Sequence, residues 1–229
     1  MNLSDFKNKH LNETICIIGS GKSIDFFPNK NMFQYMTTIG VNYAIKHIPV
    51  TYSITHHHTI LQECVDAKKT LNQNAIIFTS KYDCGIILPD KNILKESSEY
   101  VLYEHNDQLF LKFDPSIITT PSDNHLFVGG TIVIDAISLA LHMGAKNIIL
   151  VGCDAGSIND KSNYDGYMTN QPEKIVEYQH FHSVSTVNII KQYRNELLKR
   201  GVSICSLSPF LDYRLEGNIY DYQIKQLDK

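Results

Sequence analysis

The chain has 229 residues, a formal net charge of -3 at pH 7 and 43% hydrophobic residues. Those totals suit one sizeable folded domain with an ample core. They exclude a protein built around the basic stripe of a nucleic-acid binder, and no apolar run nears the roughly 18 residues of a membrane span.

Apolar, β-rich runs come first in the chain: TICIIG (14–19), TTIGVN (37–42), TYSIT (51–55) and AIIFTS (75–80). Several are apolar throughout, as strands covered on both faces are. Residues 81–128 read as short strands and turns, including YVLYEH and LFLKFD. TIVIDAISLALHMGAK (131–146) is apolar over most of a helical surface and stops at Gly144. A further strand, NIILVG (147–152), follows. Residues 155–181 show no clear period, and a loop of that length in a compact domain suggests a lid. From Ser183 to Arg200 a helix carries Val187, Ile190, Tyr193 and Leu197 at helical spacing and stops at Gly201. VSICSLS (202–208) is the last strand. The alternation of strand and helix predicts an α/β fold: a Rossmann-like, doubly wound, mainly parallel sheet. Residues 1–229 form a single domain on this reading, with lid or insert segments at about 81–128 and 155–181.

The five cysteines are widely spaced. Cys16, Cys153 and Cys205 lie in apolar strand-like runs, which suits reduced core residues of a cytoplasmic protein. The opening MNLSDFKNKHLNET lacks the apolar core of a signal peptide. A peripheral membrane contact stays open.

Four segments could carry chemistry. In IIGSGKSI (17–24) a strand runs into Gly19, Ser20 and Gly21, where backbone amides at 19–23 can approach a phosphate and a left-handed turn would suit glycine. The match to known loops is partial. Cys16 stands where a Walker A motif needs glycine, and Ile24 where a dinucleotide fingerprint needs its third. Asn42 replaces the acid expected after the second strand. The plain alternative is a tight turn. In LFVGGTIV (126–133), Gly129 and Gly130 precede Thr131, which can cap the apolar helix while free amides hold an oxyanion. In ILVGCDAG (149–156), Asp154 ends a strand and can bind ribose hydroxyls, a metal or a loop amide. In YQHFHSVSTVN (178–188), His182 precedes a helix start, where the dipole favours a neutral imidazole able to act as a base.

Three histidines, 56 to 58, follow the third strand. His56 and His58 form an H-x-H pair, as do His180 and His182. On extended chain such pairs share a face. No spacing rule brings the two pairs together as a metal site, so none is assigned.

Taken in order, these segments resemble the bacterial sialyltransferases of glycosyltransferase family 42. They also resemble the related domain of motility accessory glycosyltransferases and of 6-hydroxymethyl-dihydropterin pyrophosphokinase-like proteins. The resemblance covers roughly residues 14–210 and is best at 14–24 and 144–154. It implies a cytoplasmic glycosyltransferase with a CMP-linked donor, a hydroxyl or glycan acceptor and no metal or other cofactor, serving cell-surface glycan synthesis. His182 would take the acceptor proton and Tyr164, in SNYDGY, would assist the leaving phosphate. Gly19, Ser20, Gly21, Ser23, Asn42, Gly129, Gly130 and Thr131 would contact the nucleotide, with His56, His58 and Asp154 at the donor pocket. One departure matters: Gly156 stands where the family carries a second tyrosine, which weakens sialic acid specifically as the sugar. Two alternatives stand beside this reading. One is a Mg²⁺-dependent pyrophosphokinase using Asp154 and Asp165. The other is a nucleotide-binding accessory protein without turnover. The tyrosine-rich C-terminal segment could pack on the lid or on a second subunit of a homo-oligomer.

Overall fold

A computed structural model describes residues 1–27, 29–71, 73–83, 93–105, 124–126, 131–154 and 189–207. Eight strands form one sheet: β1 (Thr14–Ile18), β2 (Thr38–Val41), β3 (Tyr52–Thr55), β4 (Ile76–Ser80), β5 (Tyr100–His105), β6 (His125–Leu126), β7 (Asn147–Val151) and β8 (Ser203–Ser206). Their order is β6-β5-β4-β3-β2-β1-β7-β8, and every neighbouring pair is parallel. The α/β, doubly wound expectation holds.

The central strands are buried on both faces, which is why runs such as that of β1 are apolar nearly throughout. Alternation then sorts the side chains. Ile15 and Ile17 of β1 join Ile39, Ile54, Phe78, Ile148 and Leu150 on one face. Cys16 and Ile18 join Ile77 and Val151 on the other. The second face is covered by helix α1 (His58–Thr70), through Leu61, Cys64 and Val65, and by the 3₁₀ turns Lys22–Phe26, Lys30–Tyr35 and Asn42–Lys46. Helix α2 (Ile132–His142) covers the first face, joined by Ile190, Tyr193 and Leu197 from the helical residues 189–199.

Helix α2 carries the chain from the β6 edge back past β1 to β7, so it lies against the middle of the sheet. From Ile132 to Ala140 every residue of it is buried. Its last carbonyls would be orphaned there. The N-terminal segment meets them: the amides of Asn8, His10 and Asn12 donate to the carbonyls of His142, Met143 and Gly144 at 3.0, 2.8 and 2.8 Å. His142 Nε2 in turn donates to Leu3 O at 2.8 Å. Phe6 stacks edge-on against Phe78 at 4.9 Å, anchoring the same segment to β4.

Three features depart from the sequence reading or extend it. Helix α1 had no counterpart there. Residues 100–105 and 125–126, within the stretch read as an insert, extend the main sheet. Thr131 occupies the cap position of α2, but its side chain makes no capping hydrogen bond. No helix among the described residues is long and apolar enough to cross a membrane.

Both expected glycine stops are left-handed, Gly144 at φ +85° and Gly201 at φ +78°. A side chain at Gly201 would meet open space, whereas at Gly144 it would lie 3.0 Å from Leu11 Cα. Gly201→Ala should therefore cost only the left-handed strain, about 1 kcal/mol. Gly144→Ala should cost clearly more in urea unfolding, because the N-terminal segment must also give way.

Candidate functional site

Because all strands run the same way, their carboxyl ends share one edge. Strands β1 to β6 wind outward in one direction, and β7 lies on the opposite side of β1. The crevice between the ends of β1 and β7 is the topological switch point, where open α/β sheets bind ligands.

The loops flanking that crevice touch directly. Gly19 N donates to Val151 O at 2.8 Å and Gly21 N to Gly152 O at 2.7 Å. Ser23 N donates to Asp154 Oδ2 at 2.7 Å, and Ser23 Oγ donates to Asp154 Oδ1. Ser23 is fully buried and Asp154 only 2% exposed. A Cβ on Gly21 would lie 2.5 Å from Asp154 Oδ2, and one on Gly19 would lie 2.8 Å from the carbonyl carbon of Gly152. This corrects the expectation of a left-handed turn in the first loop. Gly21 has φ -64°, and Gly19 is not left-handed either. Gly19 meets the backbone of Gly152 and Cys153 where a side chain would be, and Gly21 meets the Asp154 side chain and the Gly152 carbonyl. The amides of 19, 21 and 23 donate to the β7 side of the crevice. Of the roles open to Asp154, the described contact is the bond to a loop amide.

A second group lies at the ends of β2 to β5. Asn42 follows β2 with φ +48°, a region asparagine tolerates. Its Oδ1 accepts from Thr55 Oγ1 at 3.0 Å, and Thr55 Oγ1 accepts from His57 N at 3.2 Å. Here the extended chain turns into α1, so the His56–His58 pair does not share a face. His58 opens the helix: its amide donates to Asp83 Oδ1 at 2.9 Å, and its Nε2 lies 3.3 Å from Ser80 O. His56 turns toward α2 instead, its Nδ1 3.4 Å from Asp135 Oδ2. The His56 and His57 rings meet edge to face at 4.5 Å. Burial first, then neighbouring His56, pushes the His57 pKa down.

Asp135 is the residue the sequence reading missed. It lies in the first turn of α2 with no exposed surface. Tyr103, fully buried in β5, donates to its Oδ2 at 2.9 Å. The available signal was that Asp135 is the one acid in the apolar stretch 131–146. A charge in such a helix needs a partner.

Gly129, Gly130, Tyr164, Asp165, His180 and His182, the lid at 155–181 and the C-terminal segment lie outside the described residues. Among the described residues, no group of three or more His, Cys, Asp or Glu side chains could hold a metal ion. Cys16, Cys64 and Cys153 are buried free thiols. Burial pushes Cys16 and Cys64 up to about 12, so they stay protonated and inert as nucleophiles.

No family model matches the chain, and no curated protein matches it. Among solved structures it is similar to the sialyltransferase CstII from Campylobacter jejuni, determined in complex with the substrate analogue CMP-3FNeuAc. The identity is 11% and the TM-score 0.50, over 90% of this chain and 87% of that one. The likeness is one of fold.

Two outcomes follow from the geometry. Gly21→Ala should destabilise by about 1–3 kcal/mol through overpacking. Combined with Asp154→Ala its cost should shrink by at least ~0.5 kcal/mol in a denaturant double-mutant cycle, since Asp154 is the nearest obstruction. His57 holds a proton less tightly folded than unfolded. Its contribution to stability is complete above the ordinary value of 6.5 and is lost as pH falls below it. Urea melts across that range should show the loss, and His57→Gln should reduce it.

Proposed function

We propose that this chain is a glycosyltransferase that moves a sugar from a CMP-linked donor to a hydroxyl acceptor. The observation that carries the reading is a fold similar to that of a sialyltransferase, and three of the predicted polar residues, which stand at the carboxyl edge, support it. Asn42, His56 and His58 follow β2 and β3 at that edge, and α2 begins there at Thr131.

The reaction is a direct displacement. His182 accepts the acceptor proton while the acceptor oxygen attacks the anomeric carbon. The bond from that carbon to the phosphate oxygen breaks, and Tyr164 assists the departing CMP. The amides at Gly129, Gly130 and Thr131, entering α2, are the phosphate contacts in this scheme. The Gly19–Ser23 loop serves as a rigid wall, since Asp154 holds Ser23 by both its amide and its hydroxyl. No metal enters the scheme.

A thermal-shift screen of nucleotides and their sugar conjugates should select CMP and CMP-sugars over UDP, GDP and ATP conjugates. With a turning-over donor and acceptor, His182→Ala should lower kcat by about 10²–10⁴ while CMP affinity stays level. His58→Ala should raise donor KM and change kcat little, the mark of uniform binding. Wild-type kcat in His182→Ala would remove the base assignment. Turnover abolished by EDTA would favour the Mg²⁺-dependent pyrophosphokinase, and nucleotide binding without any turnover would favour an accessory protein.

A further inference from the structure

The buried Asp135 has a geometry that the proposed reaction does not use. Its Oδ2 accepts the Tyr103 hydroxyl at 2.9 Å and lies 3.4 Å from His56 Nδ1. Burial first, then the charge of Asp135, holds the Tyr103 phenol well above its ordinary pKa, so Tyr103 remains a donor. A carboxylate oxygen has room for a second donor. His56 Nδ1–H is the group in position to be it.

That choice settles the other ring nitrogen. In a neutral imidazole one nitrogen carries the proton and the other a lone pair. With the proton on Nδ1, Nε2 is an acceptor. Nε2 makes no hydrogen bond to a described residue, and the His56 side chain keeps 11% of its surface exposed. His56 directly follows Thr55, at the carboxyl end of β3. The groups around the pair are Tyr103 from β5, Asp135 from α2 and His57 from the β3–α1 turn, with Tyr193 close enough to feel the Asp135 charge.

We propose that Asp135 is a positioning residue that fixes His56 with its proton on Nδ1, so that Nε2 presents a lone pair to a hydroxyl group of the ligand. An acceptor atom selects a proton donor, which a sugar or ribose hydroxyl is and a fully ionised phosphate is not. His56 thereby reads the polyol part of a nucleotide rather than its phosphate. The ligand half of this inference rests on the proposed CMP site, and the tautomer half does not.

The test is ¹⁵N NMR of histidine-labelled protein at about pH 8, above the ordinary histidine range, with His56→Gln to assign the signal. The unliganded wild type should show a protonated Nδ1 and a lone-pair Nε2. Asp135→Ala, which removes the acceptor, should move the proton to Nε2. A wild-type proton on Nε2, or an unchanged tautomer in folded Asp135→Ala, overturns the proposal. If Asp135→Ala does not fold, the wild-type spectrum alone decides. Added CMP should then shift the Nε2 signal while methyl phosphate, which has no P–OH at that pH, leaves it in place, and His56→Ala should weaken CMP about tenfold. CMP bound with Nε2 unmoved, or a response to methyl phosphate alone, sinks the ligand half. Failure of CMP to bind at all instead sinks the CMP site, and the tautomer result stands by itself.

Discussion

The close approach of two loops between β1 and β7 organises the rest of the molecule. Gly19 and Gly21 press against Gly152 and Asp154 so tightly that a methyl group fits at neither position. The approach follows from pairing β1 with β7 in register to their last residues, Ile18 opposite Val151. Gly152 turns the chain with φ +63°, and Asp154 reaches back to Ser23. The two halves of the winding are thereby joined at their reversal point, by backbone and one buried carboxylate. A crevice made this way is stiff along one wall, and ligand selectivity must come from the other residues of that edge.

Those residues are organised by burial more than by strand position. Helix α2 is apolar all round because it is enclosed, by the sheet on one side and by the N-terminal segment at its end. Its single acid cannot reach bulk water and must find donors inside. Tyr103 and His56 supply them. A constraint of the core thus determines how a histidine at the site edge is held. The same logic separates the three consecutive histidines. His56 is drawn toward Asp135, while His58 begins a helix whose first amide is taken by Asp83. One run of identical residues yields different environments because the backbone changes from strand to helix within it.

The loop at Gly19 and Gly21 shows the limit of motif reading. A glycine after a strand has two explanations, a phosphate close by or a second backbone close by, and both exclude a side chain. In this chain Gly19 meets a second backbone, and Gly21 meets the Asp154 side chain and a second backbone. The partner that makes the glycines necessary is about 130 positions away in sequence, which no local pattern can express.

By itself the sequence determined the layers. Strands buried on both faces are rich in apolar and β-branched residues, so β1, β2, β3, β4, β7 and β8 were legible, and the left-handed stops at Gly144 and Gly201 required glycine. It also located the carboxyl-edge residues Asn42, His56, His58 and Asp154, because each stands where an apolar run ends. Helix α1 was not legible: only Leu61, Cys64 and Val65 of it are buried, too narrow a stripe to stand out among polar residues. The strand order, the packing of Gly21 on Asp154, and the meeting of His56, Tyr103 and Asp135 were decided only by the tertiary structure. Each joins residues from separate strands and helices, and their contact energies exist only after the sheet has brought those elements to one edge.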